Sequence, residues 1–205
     1  MKNLPRDPKL VWEGLLDGNR RFAEGAPLHP NQSVSRREEL KLGQSPRAAV
    51  LTCGDSRVPV ELLFDVGLGD IFTVRTAGEV VDSAVLASLE FAVAGLGVEV
   101  MVVLGHESCG AVRATAEVVL EGADVPVGHQ RTLVEQIAPS ILESKTKGGH
   151  TAADFERAHA QAVVAKIMQI SPVIAEAVKN GTTAVVAARY RLADGLVETV
   201  STEGI

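Results

Sequence analysis

Two short clusters hold the residue types best suited to chemistry. Cys53, Asp55 and Arg57 lie in LTCGDSRVP, and His106 and Cys109 lie in VVLGHESCGAV. Two thiolates, an imidazole and a carboxylate form a donor set that suits a four-coordinate zinc ion. Arg57, two residues beyond Asp55, offers that carboxylate another partner. A carboxylate drawn off the metal leaves a fourth position open to water, which separates a working zinc site from a structural one. Any one of these residues alone reads as core or as a helix cap. Their conjunction is the signal. Spacing within each cluster helps: Cys53 and Asp55, at i and i+2, point the same way in extended chain. His106 and Cys109 are three apart, and Gly105 and Gly110 leave the backbone free for a tight turn onto one ion.

The surrounding pattern says what must position these residues. AAVLTC (48–53), DIFTVRT (70–76), VEVMVVLG (98–105) and TTAVVAARY (182–190) read as strands. Helical spacing marks 8–24, a turn or two at 59–66, 80–97, 108–122, 130–145 and 152–179, with Pro172 a break. Ser35 with Glu38 resembles a capping box opening a short helix to about Leu42. ADG (193–195) reads as a hairpin turn into LVETV. Alternating strands and helices imply an α/β fold, a mostly parallel β-sheet flanked by helices with an N-terminal helical extension. In such sheets ligands bind beyond the carboxyl ends of the strands, where both clusters fall. One domain over 1–205 is expected, with no linker or repeat to divide it.

Composition narrows the classes. A chain of 205 residues suits one well-buried domain. The longest apolar stretch, VEVMVVLG, is too short to cross a bilayer, and MKNLPRDPKL lacks the apolar core of a signal peptide. A soluble, cytoplasmic protein with no membrane partner is expected. Mean hydropathy of +0.16 suggests apolar surface buried between subunits. A net charge of −6 without a basic, aromatic-laced stripe argues against nucleic acid. The arginine pairs at 20–21 and 36–37 read as solvated helix faces. The only two cysteines are expected as reduced ligands rather than a disulfide.

CGDSRVP followed by GHESCGAV resembles the β-class carbonic anhydrases. LLDGNRRF, GQSP (43–46), GDIFTVR (69–75), SLEFAV (88–93) and ARYRLADGLVE (188–198) fall in the family's order, so the likeness spans most of the chain. The resemblance implies reversible hydration of carbon dioxide to bicarbonate by zinc-bound hydroxide. By it Cys53, His106 and Cys109 are permanent zinc ligands, and Asp55 and Arg57 form a gating dyad. Asp55 occupies the fourth zinc position in one state and leaves it for Arg57 in the other. Activity is therefore expected to rise in mild alkali. The resemblance also places Gln44, Phe72, Phe91 and Gly110 in the substrate pocket, Gln44 and Phe72 serving the neighbouring subunit's zinc. It implies a homodimer or dimer of dimers, with the arm at 1–34 packing on the partner.

Departures from the family pattern are few. Phe91 replaces the plant-type pocket tyrosine, and RTAGE (75–79) replaces RNAGN. Val50 stands where some bacterial members carry the tryptophan of a non-catalytic bicarbonate pocket, so that pocket is not expected. His29, His129, His150 and His159 are candidate proton shuttles only in the loosest sense. Glu107 reads equally as a neighbour of the ligands or as solvent-facing. Three rival functions remain: hydrolysis of a related heterocumulene such as carbonyl sulfide, a closed zinc-stabilised interaction module, and a redox dithiol.

Overall fold

Three strands made of continuous buried runs decide the architecture. The computed structural model describes residues 7–205. It has strands β1 (Ala48–Cys53), β2 (Ile71–Thr76), β3 (Val100–His106), β4 (Ala184–Tyr190) and β5 (Val197–Glu203). Their order is β2-β1-β3-β4-β5. The first four are parallel, and β5 pairs antiparallel with β4 across a bulge at Ala187/Ala188. Successive side chains point to opposite faces. Val50, Val102, Leu104, Val186 and Ala188 therefore meet Val11, Trp12, Leu15, Leu63 and Phe64 on one face. Leu51, Met101, Val103, Val185 and Ala187 meet Val85, Leu89, Val163, Ile167 and Ile174 on the other. Burial on both faces explains why these strands read as continuous apolar runs.

The helices are α1 (Pro8–Ala23), α2 (Val34–Glu39), α3 (Val60–Leu63), α4 (Ser83–Glu90), α5 (Gly110–Glu121), α6 (Arg131–Thr146), α7 (Ala152–Ile170) and α8 (Pro172–Lys179). Helix α1 starts at Asp7, which accepts from the Lys9 amide, with Pro8 in the first turn. It docks on its own chain, Trp12 meeting Phe64 edge-on at 6.2 Å. Gly18 permits that approach: a Cβ there would run into the Phe64 carbonyl. Next to it, buried Asn19 donates to the Leu63 and Gly195 carbonyls and accepts from the Val197 amide. One side chain thus ties α1, α3 and β5 together. Among the described residues no single helix is long and apolar enough to cross a membrane.

Several local expectations change. The cap of α2 is Ser33, which accepts from the Arg36 amide, while Ser35 lies inside the helix and bonds the Ser33 hydroxyl. Ser33 is the last residue in extended backbone, and that decides the cap. Helix α4 starts at Ser83 because Asp82 accepts from the Val85 amide, and it ends in a π-type turn at Phe91–Gly95. The break expected at Pro172 is there: the 152–179 segment is two helices bent by 98°, with Ser171 capping the second. Nor are the arginine pairs simply solvated. Arg21 pairs with the buried carboxylate of Asp65 at 2.7 Å, and Arg36 donates to the Leu68 carbonyl.

Candidate metal centre

Strands β1 and β3 are neighbours in register and end together. Cys53 is the last residue of β1 and His106 the last of β3. Ser108, at φ 55°, turns the chain so that Cys109 sits at the N-cap of α5. The three donor atoms of Cys53, His106 and Cys109 lie within 4.8 Å of one another, all buried, and this group could hold a metal ion. The His106 ring is already committed to one tautomer: Nδ1 donates to the Glu107 carbonyl at 2.9 Å. Its Nε2 is then a lone-pair donor, buried and without a hydrogen-bond partner. A buried orphan acceptor is costly unless something fills its need. A metal that accepts sulfur and nitrogen fits this set.

The electrostatics agree. Both cysteines are free. The Cys53 thiol is pushed down, first by a hydrogen bond from Cys109, then by His106 and the Gly78 amide, against the opposing effect of burial. The Cys109 thiol is pushed up, by Cys53 first and by burial. The pair therefore shares one proton and offers a sulfur anion readily. Burial pulls the His106 pKa down, but Cys53 and the Glu107 carbonyl outweigh it and the net direction is up.

Asp55 sits at the rim, turned to Arg57. Arg57 Nε donates to Oδ1 at 2.9 Å and Nη2 to Oδ2 at 2.7 Å, and the Arg57 amide adds 2.9 Å to Oδ1. Arg57 first, then its own amide and His106, hold the Asp55 carboxyl well below the usual carboxylate range. The Oδ2 atom is only 4.0 Å from His106 Nε2. Arg57 also reaches the Ser108 carbonyl at 3.3 Å, linking the two loops.

Comparison with known proteins places this arrangement. The fold resembles a Coccomyxa β-carbonic anhydrase solved with acetazolamide (TM-score 0.72, 24% identity, 92% of this chain and 86% of that one). It also resembles a structure described as one of two tetrameric β-carbonic anhydrases from Sordaria macrospora (TM-score 0.71, 22% identity, 93% and 96% covered). Residues 48–197 match the family model described as carbonic anhydrase. A carbonic anhydrase from Mycolicibacterium smegmatis is 50% identical over 192 residues, 94% of this chain and 93% of that protein. The chain belongs to the β-carbonic anhydrase family.

Around the Cys–His cluster, this member of the family carries contacts that the sequence did not announce. Arg75 donates to the carbonyls of Cys53 and Asp55 at 3.0 and 2.6 Å, so the RTAGE run does hold the first loop. The Gly78 amide donates to Cys53 Sγ at 3.3 Å. Buried Glu156 accepts from the Cys109 amide at 3.4 Å and from Arg189 Nε at 2.7 Å. His159 is buried, not an exposed shuttle, and bonds the Gly78 carbonyl at 2.8 Å. Glu107 accepts from the Ala193 amide through its side chain. These partners are 20 to 86 residues from the groups they hold, beyond any local pattern.

The expected pocket residues divide. Gly110 is beside Cys109, and a Cβ there would meet nothing within 4 Å. Phe72 pairs with Ala49, four residues back from the Cys53–Thr76 pair, about 13 Å along the strand. Its ring stacks obliquely on half-exposed Phe91 at 6.2 Å. Gln44 lines a polar groove of about 690 Å³ with Arg36, Arg47, Asp70 and Glu99, at the amino ends of the strands. Within one chain, then, Gln44, Phe72 and Phe91 lie away from the Cys–His cluster.

Proposed function

We propose that this chain catalyses the reversible hydration of carbon dioxide to bicarbonate and a proton, with zinc held by Cys53, His106 and Cys109. The observation that carries the reading is the orphan Nε2 of His106, which faces two sulfurs beside a carboxylate already bound by arginine. Zinc, when bound, supplies a Lewis acid that lowers the pKa of water from ~15.7 towards ~7, so that hydroxide is available at neutral pH. The protein does the rest. Asp55, ionised and fixed by two bonds to the Arg57 side chain, is an acceptor only, so it would accept a hydrogen bond from the nucleophile and aim the nucleophile's lone pair at carbon. Arg57 keeps Asp55 from closing the fourth position, and the short gap between Asp55 and His106 lets the carboxylate return there. That competition is the gate.

Gln44, Phe72 and Phe91 reach substrate from a second copy of the chain, which also covers the half-exposed Phe91 ring. A dimer or dimer of dimers follows. The tetrameric description of the Sordaria macrospora structure supports this reading.

Stopped-flow hydration, with zinc measured on the same sample, tests the proposal. The wild type should carry about one zinc per chain and turn over carbon dioxide. Arg57→Ala should keep its zinc and lose most of the rate. A zinc-loaded wild type that does not hydrate carbon dioxide overturns the reading. Full activity in Arg57→Ala removes the dyad from it.

A further inference from the structure

Between β2 and α4 the chain makes a turn that its residues resist. Gly78 and Glu79 follow one another at φ 63° and 41°, both in the left-handed region. For Glu79, which carries a Cβ, that conformation is unfavourable. Gly78 is needed twice over, since a Cβ there would come within 2.9 Å of both Ala111 and Ile137. A strained turn persists only where its surroundings hold it. Here the holding groups are few. Thr76 Oγ1 donates to the Val80 carbonyl at 3.0 Å and closes the loop on itself. The Gly78 amide donates to Cys53 Sγ, and His159 binds the Gly78 carbonyl.

His159 comes from the middle of α7, 81 residues further along the chain, and is 2% exposed. A carbonyl can only accept, so Nε2 carries the proton. Nδ1 lies 3.2 Å from the Ser140 hydroxyl of α6, whose single proton is shared between Nδ1 and the nearer Ile137 carbonyl at 2.7 Å. Burial lowers the His159 pKa, which favours the neutral ring. The ring is thus fixed from behind and directed at one backbone atom.

We propose that His159 is a positioning residue for the metal centre: its bond to the Gly78 carbonyl holds the Gly78 amide against Cys53 Sγ and so sets how strongly that sulfur donates. An N–H bond to a thiolate stabilises the anion and draws charge from it. Two thiolates would otherwise load a bound metal with charge and weaken its pull on water. Hydrogen bonds of this kind around metal ligands change affinity by about 10- to 100-fold. The inference rests on Cys53 being a ligand, as proposed above.

Cobalt(II) reports the sulfur directly, through its thiolate-to-metal charge-transfer band. His159→Leu, loaded with cobalt(II), should show that band at longer wavelength than the wild type and bind the ion about 10-fold more weakly against a competing chelator. His159→Gln, which restores an N–H donor, should return the band towards its wild-type position. A histidine that merely fills the core would change the melting temperature and leave the band in place. Folded His159→Leu with an unmoved band overturns the proposal. If His159→Leu does not fold, Ser140→Ala decides: a smaller shift in the same direction supports the relay, and an unmoved band refutes it. A wild type that shows no thiolate band with cobalt(II) defeats the ligand assignment itself, and this inference falls with it.

Discussion

Glu79 is a buried carboxyl whose charge the fold resists. It is 1% exposed, its Oε2 has no hydrogen-bond partner, and its carboxyl packs over Gly105. Burial, and then the negative charge of Cys53, push its pKa up to about 8 from an ordinary 4.5, with Glu156 adding to the rise and His106 opposing it. A carboxyl raised in the folded state binds more protons there than in the unfolded chain. Its contribution is therefore full below pH 4.5 and lost as pH rises through about 8. At about 1.4 kcal/mol per pH unit across that interval, full ionisation costs the metal-free protein on the order of 5 kcal/mol. Glu79→Gln removes the titration and keeps a neutral side chain of nearly the same shape. Urea unfolding of chelator-treated, reduced protein should find the two chains similar near pH 5. By pH 9 the variant should be the more stable, the gap having widened by about 4 kcal/mol. Titrating groups remote from Glu79 are common to both chains and cancel. A gap that stays constant within about 1 kcal/mol across this range refutes the reasoning.

Other expectations are more direct. Cys109→Ser should lower the metal content well below one per chain and abolish carbon dioxide hydration. In metal-free protein the serine hydroxyl keeps a donor for Cys53 but lies in an apolar cluster with Val112, Ile137 and Ile141, so a loss of about 1 kcal/mol is expected. Asn19→Ala leaves three backbone groups without their partners and should cost about 3 kcal/mol in urea unfolding; a loss below 1 kcal/mol would contradict the accounting. Gly18→Ala gains about 1 kcal/mol of helix propensity but drives a methyl into the Phe64 carbonyl, so a net loss of about 2 kcal/mol is expected. A higher melting temperature for that variant would show that α1 docks more loosely than described.

Reading the chain forwards gave the Cys–His cluster because each half of it is local. Cys53 and Asp55, like His106 and Cys109, are close in sequence and follow apolar runs, and the parallel sheet brings the two ends together. The α/β architecture was legible for the same reason. What sequence could not show was every contact made across the fold. His159 looks like any surface histidine until α7 carries it against the Gly78 carbonyl. Arg21 sits among acids in the sequence, yet its partner is Asp65, 44 residues on. Two serines near α2 competed for one cap, and only backbone conformation separates Ser33 from Ser35. Gln44 and Phe72 were placed by likeness to the family. Their register at the amino ends of the strands shows that one chain alone does not bring them to its own cluster.

The donors stand at the tips of two strands in the interior of the sheet. Strand β1 is bonded on both sides, by β2 and β3, and β3 by β1 and β4. Cys53 and His106 cannot drift apart unless the ladder between them breaks, and Cys109 follows His106 by only three residues. The cradle is thus assembled by folding itself, and capture of an ion would be a separate, later event. Metal exchange should be a matter of access and affinity, so stripped protein can be refilled, or filled with a different element, while the chain stays folded.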